Sequence, residues 1–175
     1  MRRHASVHDR LTVCQGSADV VPFENGFFDL VFSVNVIHHV LNPRNHFREA
    51  LRVLRPGGSI CTVTDSTDMI RRREPLSRYW PSSAEADVAR YPTVGSLLDS
   101  MARVGFTDLT SRDIKETYLV TDARPYREKA FSCLRLIAEV EFDAGFQRLE
   151  NDLRRGAVQG ISEYICIWGK VPTTI

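Results

Sequence analysis

Phe27-Phe28-Asp29-Leu30-Val31-Phe32-Ser33-Val34-Asn35-Val36-Ile37 decides the fold. Apolar residues occupy both parities of this run, the pattern of a parallel strand covered on both faces. The chain leaves it through His38-His39-Val40-Leu41. Asn42 then serves as an N-cap and Pro43 as the first helical residue. Phe47, Ala50, Leu51 and Leu54 recur at helical spacing, with Arg44, Arg48, Glu49 and Arg52 largely outward. Arg55-Pro56-Gly57-Gly58 stops the helix, because Pro cannot continue it and Gly accepts positive φ. Ser59 to Thr64 is the next strand. Strand, helix and strand with short connections predict a right-handed βαβ crossover and an α/β fold.

Upstream of this unit, Leu11-Thr12-Val13-Cys14 reads as a short strand that stops at Gln15-Gly16, and Pro22, Asn25 and Gly26 mark a loop. Downstream, residues 66–93 change character. Arg71-Arg72-Arg73, Pro75, Tyr79-Trp80-Pro81, Ser82-Ser83 and Tyr91-Pro92 read as an irregular insertion or lid. Leu97, Leu98, Met101, Ala102 and Val104 form an amphipathic helix closed by Gly105, and Phe106 leads into a strand through Ile114. Residues 125–155 read as a helical insertion, split near Asp143-Ala144-Gly145, before a last strand from Tyr164 to Gly169. All of this fits one domain over residues 1–175, with no internal repeat.

The 175 residues are 43% hydrophobic and 26% charged, which suits a packed core rather than a disordered tail. Twenty-three Lys and Arg against 22 Asp and Glu leave a net charge of +1. That balance offers no field to attract nucleic acid or an anionic membrane, so neither is expected as a partner. No apolar run reaches the roughly 20 residues that cross a bilayer. Met1-Arg2-Arg3-His4 is followed by no apolar segment, so no secretory leader is expected. Cys14, Cys61, Cys133 and Cys166 have neither C-x-x-C spacing nor a zinc-like Cys/His cluster. They read as small hydrophobes of a cytoplasmic protein, and no metal is expected. No two of the 10 glycines are separated by a single residue, so every G-x-G phosphate-loop fingerprint is absent.

Four segments taken in order resemble a known family. They are Gly16-Ser17-Ala18-Asp19-Val20-Val21-Pro22-Phe23, then Phe28-Asp29-Leu30-Val31-Phe32-Ser33, then Ile37-His38-His39-Val40, then Glu49-Ala50-Leu51-Arg52-Val53-Leu54-Arg55-Pro56-Gly57-Gly58. Together they are similar to the class I S-adenosylmethionine-dependent methyltransferases, specifically the type 11 small-molecule group. Any one segment is a weak signal, and four in order over residues 16–58 are a strong one. The resemblance implies a Rossmann-like doubly wound sheet with an antiparallel last strand, S-adenosylmethionine as cofactor, and methyl transfer to a small-molecule acceptor.

The family's glycine-rich loop and ribose-binding acid precede the segment that begins at Gly16, where this sequence offers only Met1–Arg10. The resemblance therefore implies a partial sheet lacking the family's first two strands. Three outcomes are open: sliding of the first strand onto Phe28–Ile37, strand pairing or homodimerisation through the exposed sheet edge, or a fragment of a longer product. The fragment reading implies weak or no cofactor binding by this chain alone. A catalytically inactive remnant acting as a binding or dimerising module is the alternative function. A nicotinamide-dependent oxidoreductase is disfavoured by the same missing G-x-G-x-x-G.

The resemblance also assigns site residues. Ser17, Ala18 and Asp19 would lie at the adenine, although Ser and Asp equally favour a plain turn. Phe23 would pack on the adenine or in the core. Ser33 and Asn35 end the Phe28–Ile37 strand at the carboxyl edge, where open α/β sheets bind ligands; Asn35 faces cofactor or substrate, or is a satisfied structural Asn. His38 and His39 are the catalytic candidates, one turned to the cleft to orient substrate or take a proton. Asp65, Tyr79 and Trp80 are substrate candidates. Arg71-Arg72-Arg73 would meet an anionic substrate or form a solvated charge run. Asp29, at the amino end of its strand, reads as structural.

Overall fold

A computed structural model describes residues 11–173. Its elements in chain order are β1 (Phe28–Val34), a 3-10 turn (Ile37–His39), α1 (Pro43–Val53), β2 (Leu54–Thr64), α2 (Thr67–Arg72), α3 (Leu76–Tyr79), α4 (Pro81–Arg90), α5 (Val94–Val104) and β3 (Thr107–Val120). There follow α6 (Arg124–Arg127), a 3-10 turn (Ser132–Arg135), α7 (Glu139–Arg155) and β4 (Val158–Lys170).

The βαβ unit forms as its local signals dictate. The Asn42 side chain accepts from the Arg44 N–H at 3.1 Å, and Pro43 takes the position whose N–H has no helical partner. α1 buries His46, Phe47, Ala50 and Val53, and β1 runs parallel to β2 with Val31 opposite Ile60 and Val34 opposite Val63. Asp29 pairs with Arg55 at 2.6 Å, away from the carboxyl edge. Glu49 and Arg52, one turn apart on α1, clasp the preceding loop. Glu49 accepts the Val21 N–H at 2.8 Å, and Arg52 donates to the carbonyls of Phe23 at 2.8 Å and Val21 at 3.2 Å. The Arg52 guanidinium draws the Glu49 carboxyl down to about 2.

The sheet order is β1-β2-β4-β3, with β4 antiparallel to both neighbours: Thr62 faces Ile167, and Thr110 faces Trp168. This mixed sheet is the expected α/β class with its antiparallel last strand. β3 and β4 run past the other strands, pairing as far as Val120 with Val158, so both exceed the expected bounds. Among the described residues β1 has no neighbour on its outer side, and Phe32 is 69% exposed.

Two cores result. Phe47, Leu54, Ile60, Leu97, Met101 and Ile167 join α1 and α5 to the sheet. Gly105 ends α5 at φ 117°, the left-handed region expected of it. Trp80, Tyr126, Leu134, Phe142, Leu149 and Val158 form the second core, between α3, α7 and the far ends of β3 and β4.

Three expectations are corrected. Residues 11–14 form no strand and lie exposed, because four residues gain little from extension without a neighbouring ladder. The segment 66–93 is helical as α2, α3 and α4 rather than irregular. α7 continues through Asp143-Ala144-Gly145, and the break lies earlier, between α6 and α7. Gly145 is a packing glycine, since a Cβ there would meet the Trp80 indole and come within 2.5 Å of the Tyr79 carbonyl.

Candidate active site

β1 ends where its backbone turns left-handed. Asn35 has φ 53°, a conformation Asn tolerates better than most residues, and its N–H still reaches the Val63 carbonyl at 3.0 Å. The 3-10 turn that follows sinks Ile37 into the core, leaves His39 exposed, and half-buries His38. The His38 ring stacks on Tyr91 with centroids 4.0 Å apart and planes 13° apart, and the tilted His39 ring lies 4.1 Å away, centroid to centroid. Burial, with His39 and Arg90 adding repulsion, lowers His38 from 6.5 to about 4. Its Nδ1 is buried with no protein partner, as is Oδ1 of Asn35.

Beside it, β2 ends at Thr64 and delivers Asp65, which is only 3% exposed. Burial raises the Asp65 carboxyl to about 6 against the pull of Arg73, 3.8 Å away. Arg73 binds Asp87 at 2.7 Å, Asp87 binds Arg90 at 2.6 Å, and Arg90 donates to the Ser132 hydroxyl at 2.6 Å. The chain of charges thus ties α2, α4 and the second 3-10 turn to the carboxyl end of β2. The sequence reading grouped Arg71, Arg72 and Arg73 as one run, but the structure separates them. Arg71 lies 3.5 Å from Glu85, Arg72 binds Glu163, and only Arg73 turns inward. Asp87, Arg90 and Tyr91 are not among the site candidates read from sequence. Their one legible signal was the i,i+3 spacing of Asp87 and Arg90.

The residues proposed for the cofactor divide. Ser17-Ala18-Asp19 forms a turn in which the Ser17 hydroxyl accepts from the Asp19 N–H at 3.3 Å, so that acceptor is already engaged locally. Ala18 and Ser33 meet across a mainly apolar cavity of about 330 Å³ that Phe23, Val31, Val34 and His46 also line. His46 Nδ1 lies 3.2 Å from the Ala18 carbonyl, while His46 Nε2 and Asp19 Oδ1 are buried without protein partners. Phe23 packs on Phe27 and Phe28 as well as on the cavity. Asn35 stands just beyond, at the end of β1. A larger cavity of about 640 Å³ lies near Asn25, Gly26, Pro56 and Val171, at the amino end of β2. None of the candidate residues lines it, and ligands of open α/β sheets gather at the opposite, carboxyl edge.

Trp80 is a core residue, which corrects its reading as a pocket wall, and Tyr79 is buried beside it, lining the polar cleft between α3 and α7 and not the cavity at Ser33. Trp80 is fully buried between Tyr126 and Phe142, and its indole N–H donates to the Phe142 carbonyl at 3.0 Å. Tyr79 is 2% exposed, and its hydroxyl donates to Asp152 at 2.7 Å. Their large apolar surfaces stabilise the second core more by burial than an open site would allow.

Residues 1–62 match a family described as "Methyltransferase domain". Among curated proteins, the chain is 32% identical over 100 residues to the malonyl-[acyl-carrier protein] O-methyltransferase of Marinomonas sp., covering 57% of this chain and 36% of that protein. It is 29% identical over 101 residues to the tRNA U34 carboxymethyltransferase of Saccharophagus degradans, covering 57% of this chain and 30% of that one. The matches therefore span about a third of these relatives' own length. Two solved structures share the fold. One, described as a methyltransferase from an antibiotic biosynthesis pathway of Anabaena variabilis, gives a TM-score of 0.67 at 20% identity, covering 93% of this chain and 74% of that one. The other, described as a methyltransferase from Bacillus halodurans, gives 0.56 at 19%, covering 91% and 71%. The motif run from Gly16 to Gly58 falls inside the matched segment, and the sheet shares the fold of these methyltransferase structures.

Proposed function

We propose that this chain contributes to methyl transfer from S-adenosylmethionine to a small-molecule acceptor at the carboxyl edge of β1 and β2. One observation carries the reading: the end of β1 sets Ser33 on an apolar cavity and places Asn35 and His38, each with an unpartnered buried polar atom, immediately after it. The cavity suits the adenine end of the cofactor. It offers apolar walls at Ala18 and Phe23, and unused polar atoms on Asp19 and His46 nearby, for a base that is aromatic but carries an exocyclic amine. Ser33 and Asn35 would continue along the same ligand. When bound, S-adenosylmethionine supplies an electrophilic methyl group on a sulfonium.

In this reading the protein aligns the acceptor and excludes water. His38 is unprotonated at neutral pH, so its free ring nitrogen accepts a hydrogen bond from the acceptor's N–H or O–H. Asp65, ionised at neutral pH and close to Arg73, fixes a polar substituent of the same substrate. Helices α2 to α4 carry the charges that hold Asp65 and serve as the cover of the site. The relatives named above act, by their names, on tRNA and on an acyl-carrier protein. The near-neutral charge of this chain favours a small acceptor.

An NMR titration with adenosine tests the reading. Saturable shifts at Ala18, Asp19, Ser33 and Asn35 are expected, with affinity weaker than micromolar because the sequence carries no G-x-G loop. Silence at these residues would remove the cofactor assignment. The outer side of β1, with Phe32 exposed, favours a second reading as a dimerising module. A concentration-dependent dimer in sedimentation, together with silence toward adenosine, would select it.

A further inference from the structure

A second polar cleft lies far from β1 in sequence, between α3 and the carboxyl-terminal half of α7. It has a volume of about 340 Å³ and is lined by Arg78, Tyr79, Arg148, Asn151, Asp152 and Arg155. A cleft of about 260 Å³ adjoins it, sharing Arg78, Asp152 and Arg155 and extending past Gly156 to Gln159. Three guanidiniums thus surround a single carboxylate, leaving two positive charges without a counter-charge in the cleft.

The hydrogen-bond geometry leaves most of these donors unused. Asp152 already accepts the Tyr79 hydroxyl at 2.7 Å. Arg78 and Arg155 approach its carboxylate only to 3.6 Å each, beyond hydrogen-bond reach. Arg148 commits one N–H to the Tyr79 carbonyl at 2.5 Å. Asn151 gives its carbonyl oxygen to Arg154 at 3.0 Å, which leaves its amide N–H₂ as a further donor. Arginines in a last helical turn are often explained by the helix dipole, and Arg154 fits that account. It does not explain Arg78 on a separate helix or Arg148 two turns earlier, both of which line the same cleft.

We propose that this cleft binds a phosphate monoester. Planar guanidiniums match phosphate oxygens in pairs, and a monoester at neutral pH carries nearly two negative charges, the number left uncompensated here. The adjoining cleft, bounded by Ala157, Val158 and Gln159, takes the organic part of the ligand. The site is separate from the carboxyl edge of the sheet, and its occupancy does not depend on methyl transfer.

The test is an NMR titration of the 175-residue chain at about pH 7.5, following the Nε–H signals of Arg78, Arg148 and Arg155, with inorganic phosphate and with glycerol 3-phosphate. Saturable 1:1 shifts at these arginines are expected, with the monoester bound at least about threefold more tightly. Equal affinities would keep the anion site and identify free phosphate as its ligand. The double variant R78Q/R155Q changes two side chains that are 58% and 82% exposed, so the fold is retained. It should weaken binding by about tenfold or more through loss of charge-assisted bonds. R148Q alone should weaken it less. Shifts reproduced by potassium chloride at equal ionic strength, or binding unchanged in the double variant, would overturn the proposal.

Discussion

The imidazole of His38 lies flat against the phenol ring of Tyr91, with centroids 4.0 Å and planes 13° apart. The two residues come from distant parts of the chain, one just after β1 and one just after α4. Their stacking keeps water from one face of the half-buried His38 ring.

Tyr91→Ala uncovers that face. An NMR titration should then find the His38 pKa raised from about 4 toward 6.5, while Tyr91→Phe, which keeps the ring, should leave it low. Equal values in the two variants would show that Tyr91 shields nothing.

His38 and Asp65 give stability opposite pH trends. His38 titrates lower in the folded chain than its ordinary 6.5, so the unfolded chain binds more protons and stability is lost as pH falls from 6.5 through 4. Asp65 titrates near 6 rather than 3.8, so the folded chain binds more protons and its contribution is lost as pH rises from 3.8 through 6. Asp65→Asn removes the second trend. Urea unfolding should show the variant faring better relative to the parent at pH 7 than at pH 4, by up to about 3 kcal/mol for a shift of this size. An equal difference at both values would contradict the assignment.

Asp87 balances Arg73 and Arg90 from a position that is 1% exposed. Asp87→Ala leaves both guanidiniums without it and should cost about 3–5 kcal/mol in chemical denaturation. Arg71→Ala, which breaks an exposed pair with Glu85, should cost less than about 1 kcal/mol. Similar costs for the two would mean that the inner network is not a structural tie.

Gly145→Ala forces a methyl group against the Trp80 indole and should lower stability by about 1–3 kcal/mol. Gly95, near the start of α5, has open space where its Cβ would be, so Gly95→Ala should gain about 0.5 kcal/mol. Thermal unfolding of the pair measures both signs.

The βαβ unit was legible because its signals are local: Asn42 and Pro43 start α1, Gly57 and Gly58 follow it, and β1 is apolar on both faces. The antiparallel β4 followed from the family resemblance. What the sequence concealed depended on distant partners. Arg73 looks like its two neighbours until Asp65 and Asp87 surround it. Trp80 looks like a pocket wall until α7 packs over it, with Gly145 leaving the room. Helices as short as α3 carry too few residues for a period to show. Of the candidate site, Ala18, Ser33, Asn35 and His38 were named from sequence, while Tyr91 and the ion pairs behind Asp65 required the fold.

β4 belongs to both interiors: Ile165 and Ile167 pack in the first, Val158 in the second, and β3 pairs with it along the whole stretch between them. Neither interior can open without fraying the same ladder of backbone bonds. Two separate oil drops on one continuous ribbon melt as a single event, so damage at Trp80 is felt at Met101 through the ladder they share rather than through any contact between them.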